Sequence, residues 1–269
     1  MAPLSPGSDP YRMLLSDLAD EHADLDRVVS SLDDAQWSSP TPAHGWDVRD
    51  QIAHLAYFDE QATRSATDPG AFVAGRTEAM ADLEGFEERT LAAGRRGMPS
   101  ELCSAWRAGR AAMLEAFAEL QSGDRLEWYG PPMSAMSFVT ARLMETWAHG
   151  QDVVDAVGAV RQPTHRLRHI AHLGVRTRRF SYEVRGLEAP PGEVRVGLEP
   201  PGGDASWCWG DEGADDRVTG SALDFCLLVT QRRHRRDVVL EAVGPLADEW
   251  LDIAQAFAGG PGPGRAPQT

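Results

Sequence analysis

In the stretch RLMETWAHGQDVVDAV, residues 142–157, a carboxylate and an imidazole stand one helical turn apart, Glu145 and His149. At i and i+4 both project from one helix face. A second imidazole, His54, lies in DQIAHLAYF beside Ile52, Leu55 and Phe58, and can point inward from another helix. Two imidazoles and one carboxylate form a facial donor set that suits zinc, iron, nickel or manganese and leaves coordination positions open. Open positions belong to Lewis-acid chemistry, whereas structural zinc is usually closed by four protein ligands. On spacing alone, a Glu/His pair is more often a solvated helix face. A histidine near an apolar stripe is more often a satisfied core or boundary residue.

These residues need long, well-ordered helices to hold them. Residues 10–32 carry Leu14, Leu15, Leu18, Leu25, Val28 and Val29 near the 3.6-residue period. Asp47 can cap a second helix whose apolar side is Val48, Ile52, Leu55 and Phe58. Pro69 and Gly70 break that pattern, a weaker helical stretch covers 71–93, and another covers 100–121. SGDRLEWYGPPMS reads as a loop, and the helix bearing Glu145 and His149 runs from about Ser134 to Val157. The first 160 residues thus predict an up-and-down or crossover four-helix bundle. Beyond GAVRQPTH the pattern changes to a helix over 167–182, short strands at 193–198, 206–210 and 216–220, a helix over 221–234, a strand at 237–244 and a closing helix from Pro245. This predicts a mainly α chain, with a bundle over 1–160, a smaller α+β domain over 161–258, and a disordered Gly/Pro-rich tail at 259–269.

Composition narrows the function. The 269-residue chain is 42% hydrophobic, enough for a substantial core. Its formal net charge of −15 argues against nucleic acid or an anionic membrane as general partner. MAPLSPGSDPYRML has no basic segment followed by an apolar run, and no stretch approaches a membrane span. Cys103, Cys208 and Cys226 are odd in number and scattered, so neither a disulfide framework nor a CxxC pair is expected. These features predict a cytoplasmic protein acting on a small molecule.

Two stretches resemble a known family. GWDVRDQIAHLAYFD is similar to the GW(S/T)VRD…HL segment, and RLMETWAHGQDVVDAVG to the E-x-W-x-H-x-x-D segment, of the DinB-like superfamily of metal-binding four-helix bundles. Within it the chain looks most like the mycothiol-dependent maleylpyruvate isomerase branch. The resemblance covers the first 160 residues and continues more loosely into a sterol-carrier-like α+β domain. It implies His54, Glu145 and His149 as metal ligands, zinc as the leading ion, and mycothiol as thiol cosubstrate. It assigns no further catalytic residue. The branch's C-terminal helix ends in a Trp-Gly-Arg run, where this chain has TQRRH with Arg233 in the arginine place.

Other residues have a functional and a plain reading. Asp152, three residues beyond His149, can orient a ligand from behind or lie on the surface. Arg233 can grip an anionic group on the substrate, because guanidinium matches a carboxylate; the clusters RTRR and RRHRR can equally be solvated helix ends. His165, His169 and His172 share one helix face but are interleaved with arginines, which favours a polar face over a second metal site. The expected activity is isomerisation or S-transfer with a low-molecular-weight thiol on an activated, anionic small molecule. The alternatives are a thiol-independent metal hydrolase, lyase or isomerase, and a non-catalytic metal or small-molecule binder. A monomer or a homodimer fits equally.

Overall fold

The computed structural model describes residues 9–262 and 264–268. Residues 1–8, part of the segment read above for a leader, lie outside the described residues. The chain divides into two compact units, one ending at Val160 and one beginning at Arg161.

The first unit is helical. Its elements are α1 (Pro10–Val29), α2 (Asp34–Trp37), α3 (Val48–Thr67), α4 (Pro69–Met80), α5 (Leu83–Arg96), α6 (Pro99–Ala118) and α7 (Ala135–Val157). Helix α1 packs on α7 and α6, and α3 packs on the same two. The consecutive long helices α1 and α3 therefore stand diagonally, which is the crossover form of the bundle. Leu25, Val29, Val48, Ile52, Leu55, Leu102, Trp106 and Val153 meet in one buried cluster. The 71–93 stretch is two helices, separated where Asp82 accepts a hydrogen bond from the Gly85 N–H and starts α5. The loop before α7 holds a two-residue antiparallel pair, β1 (Arg125–Leu126) with β2 (Met133–Ser134).

Local chemistry fixes the two helices that matter most. Asp47 and Asp50 form a reciprocal capping box at the start of α3. Ser134 caps α7, and Gly158 ends it in the left-handed region at φ 64°. From Arg142 to Val154 every residue of α7 is buried except Glu145. The helix is thus a central element, and Glu145 is its one opening to solvent in that stretch.

The second unit contains α8 (Leu167–Arg176), α9 (Arg178–Glu183), β3 (Val194–Glu199), β4 (Trp207–Trp209), β5 (Asp216–Ser221), α10 (Ala222–Val229), β6 (Leu240–Val243) and α11 (Pro245–Ile253). Its strands form one mixed sheet in the order β4-β3-β5-β6, with β3 and β5 parallel. Helix α10 is shorter than the 221–234 pattern suggested. It ends at Val229, and Gln231 turns the chain with φ 56°. Arg233 therefore sits in the loop beyond α10. Among the described residues no helix is long and apolar enough to cross a membrane.

Candidate metal centre

His54 on α3 and Glu145 and His149 on α7 bring one ligand atom each to within 4.8 Å of one another. The rings of His54 and His149 are 4.4 Å apart between centroids. His149 Nε2 lies 3.2 Å from Glu145 Oε2. One ion could draw all three to the about 2.0–2.2 Å usual for zinc with nitrogen and oxygen ligands.

The protonation pattern makes the donor set fit a cation. His149 Nδ1 is 2.6 Å from Gln51 Oε1. The Gln51 amide donates through Nε2 to Thr41 Oγ1 at 2.9 Å, and the Thr41 hydroxyl donates to the Trp46 carbonyl at 2.9 Å. The single hydroxyl proton of Thr41 is committed to Trp46, so Thr41 can only accept from Gln51. That fixes the amide with its oxygen toward His149, and His149 must donate from Nδ1. Its Nε2 lone pair then faces the Glu145 carboxylate. Two electron-rich atoms 3.2 Å apart require a positive charge between them, either a proton or a metal ion.

The electrostatics of Glu145 agree. Desolvation pushes its carboxyl up, but the hydrogen bond and charge of His149, with the charges of His54 and Arg142, hold it down at about 2. Glu145 is therefore an anion at neutral pH, as a ligand must be. The Trp46 indole stacks on His149 at 5.9 Å and packs on His54 at 5.1 Å. The loop preceding α3 thus holds both imidazoles, by ring contact and through Gln51.

The remaining sequence candidates fall elsewhere. Asp152 is fully buried on α7. Arg233 belongs to the second unit, where its guanidinium donates to the Arg232 carbonyl at 2.8 Å. In the same unit His165 faces Asp204 at 3.5 Å, and His172 Nδ1 accepts from the Trp209 indole at 3.2 Å. Among the described residues the three histidines of that face form no metal-ligating group. Arg235 of the RRHRR cluster is paired with Asp248 and Asp252. Burial pushes the thiols of Cys103 and Cys226 up, which makes both poor nucleophiles.

A family model, the mycothiol maleylpyruvate isomerase N-terminal domain, matches residues 18–154, a span that holds all three clustered side chains and more than half the chain. The chain belongs to this family. Crystal structures of the mycothiol-dependent maleylpyruvate isomerase and of its histidine-to-alanine mutant share the fold, with TM-scores of 0.58 and 0.57 at 18% and 17% identity. Each alignment covers 83% of this chain and 90% of the other. Closer in sequence are uncharacterized proteins of two Mycobacterium tuberculosis strains, CDC 1551 / Oshkosh and ATCC 25618 / H37Rv. Each is 48% identical over 251 residues, which is 93% of this chain and 97% of theirs. The family member thus pairs the bundle with the second unit over the same length as these relatives.

Proposed function

We propose that this family member is a divalent-metal-dependent enzyme that uses a low-molecular-weight thiol of the mycothiol type for isomerisation or S-transfer on an activated small molecule. The observation that carries the reading is the convergence of His54, Glu145 and His149, with the His149 Nε2 lone pair turned toward Glu145. Zinc is the leading ion, and nickel, iron and manganese suit the same donors. When bound, such an ion lowers the pKa of a coordinated thiol, so that thiolate is available at neutral pH.

The chain's own residues supply the rest. His54, Glu145 and His149 would provide one face of ligands and leave the other open. Gln51 keeps His149 in the tautomer whose Nε2 is free to ligate. Trp46 covers the two rings. Glu145, with 24% of its side chain exposed, lies at the accessible side of the centre. For isomerisation, a thiolate adds to a carbon–carbon double bond conjugated to a carbonyl, and the electron pair moves to the carbonyl oxygen as an enolate. The former double bond rotates, and collapse of the enolate expels the thiolate and restores the double bond in the other geometry. In S-transfer the adduct takes a proton and leaves.

Asp152 acts on the ligands from within α7, and Arg233 binds an anionic group of the substrate. Arg233→Lys should then weaken substrate binding roughly tenfold to a hundredfold, because a point charge replaces a bidentate fork. The test is thermal denaturation of the purified protein with mycothiol and with simpler thiols, followed by turnover assays with and without mycothiol. Stabilisation and turnover that require mycothiol support the reading. Turnover indifferent to any thiol would move the chain to metal-dependent hydrolase, lyase or isomerase chemistry.

A further inference from the structure

We propose that the substrate brought to this centre carries an aryl or similarly flat apolar group, held on a wall of aromatic rings that begins at His54. This rests on the metal-centre reading above. The Phe58 ring, one turn along α3, packs on His54 at 4.6 Å. From Phe58 the rings continue to Tyr129 at 5.6 Å, Trp128 at 5.9 Å and Phe86 at 6.3 Å. Phe86 touches Tyr129 at 5.3 Å and Tyr57 at 5.9 Å. The set draws on α3, α5 and the loop before α7, so it is assembled by the fold and not by one helix's periodicity.

Its exposure sets it apart from core. Phe72, stacked behind Trp128 at 5.6 Å, is sealed at 1% exposure. Tyr57, Phe58, Phe86, Trp128 and Tyr129 are only half-buried. Half-exposed ring surface continuous with a cluster of polar donors is the usual make-up of a small-molecule site. Among the described residues, three arginines on the helices around these rings are already paired. Arg142 is paired with Asp59, Arg76 with Glu127, and Arg64 with Glu60. The wall therefore offers ring faces and edges, which attract another flat ring edge-to-face or offset. The hydroxyls of Tyr57 and Tyr129, both half-buried, give it a polar component.

Calorimetric titration of the full-length protein with trans-cinnamate and with fumarate tests the wall, with metal content measured on the same sample. Both probes are unsaturated acids, and only cinnamate carries a phenyl ring. Burial of that ring should favour cinnamate by about tenfold or more. Phe58→Leu and Phe86→Leu should each weaken cinnamate about two- to tenfold and leave fumarate unchanged; two sites guard against one variant misfolding. Fumarate binding as tightly as cinnamate, no cinnamate binding, or wild-type cinnamate affinity in both variants would overturn the proposal. Protein without metal that keeps the cinnamate preference supports the wall and counts against the metal reading. Metal-loaded protein without the preference overturns the wall alone.

Discussion

His149 Nδ1 donates to Gln51 Oε1 across 2.6 Å and so ties α7 to α3 one turn before His54. This bond decides which nitrogen of His149 is left to ligate. It also links the centre to the Thr41–Trp46 loop, whose indole lies against both imidazoles.

Gln51→Leu should therefore weaken metal binding while leaving all three ligands in place. Loss of a partner behind a ligand histidine typically costs about 10- to 100-fold in affinity. Gln51→Glu keeps an acceptor at Nδ1 and should bind metal at least as well as Gln51→Leu does. Competition against a chelator of known affinity measures both. Equal affinities for wild type and Gln51→Leu would remove glutamine from any role at the centre.

The same two helices are joined deeper in the bundle. Arg142 donates to Asp59 at 2.7 Å, with 4% and 0% of the two side chains exposed. Asp59→Ala would leave a buried guanidinium without its counter-ion and should cost about 3–5 kcal/mol. The double change Asp59→Ala, Arg142→Met should recover much of that loss, since no charge is then stranded. Urea denaturation of the three proteins decides it; a single variant as stable as wild type would contradict the buried-pair account.

Acid should destabilise the bundle through His22. Burial pushes this imidazole down to about 4; Asp59 opposes the shift, and Arg110 and Arg142 add to it. Its ordinary value is 6.5, so between there and about 4 the unfolded chain holds a proton that the folded chain does not. The stability is complete above about 6.5 and declines as pH falls, by about 3 kcal/mol in all. His22→Leu should flatten that part of the stability–pH curve. A variant with the wild-type slope would place the acid sensitivity elsewhere.

What the sequence revealed followed its periodicity. Apolar stripes at 3.6 residues located α1, α3 and α6, because those helices bury one face in the bundle, while α7 stood out by its dense apolar content, since it is buried nearly all round. The same rule brought out His54, beside Ile52 and Leu55, and the i, i+4 pair of α7. Gln51 escaped because a glutamine three residues before a histidine has no distinctive pattern. Its meaning arises only when Thr41 and Trp46 fold against it. The i, i+3 spacing from His54 was the one available hint. The aromatic wall escaped for a similar reason: Phe58, Phe86 and Tyr129 are far apart in sequence and meet only in the fold. The sequence pattern overextends α10, because Thr230–His234 has no proline or glycine to mark the turn that Gln231 makes in the left-handed region.

The central claim is that His54, Glu145 and His149 bind a metal for chemistry and not to hold the fold. Bundle stability comes from helix packing, so the protein should stay folded without metal, unlike zinc fingers, whose folding needs it. The direct measurement is metal content per chain, with circular dichroism melting, of wild type, chelated wild type and the double variant Glu145→Gln, His149→Ala. The account predicts one divalent ion per wild-type chain, none in the double variant, and cooperative melting in all three. Wild type without bound metal, a double variant that keeps its ion, or metal-free protein already unfolded at room temperature would contradict it.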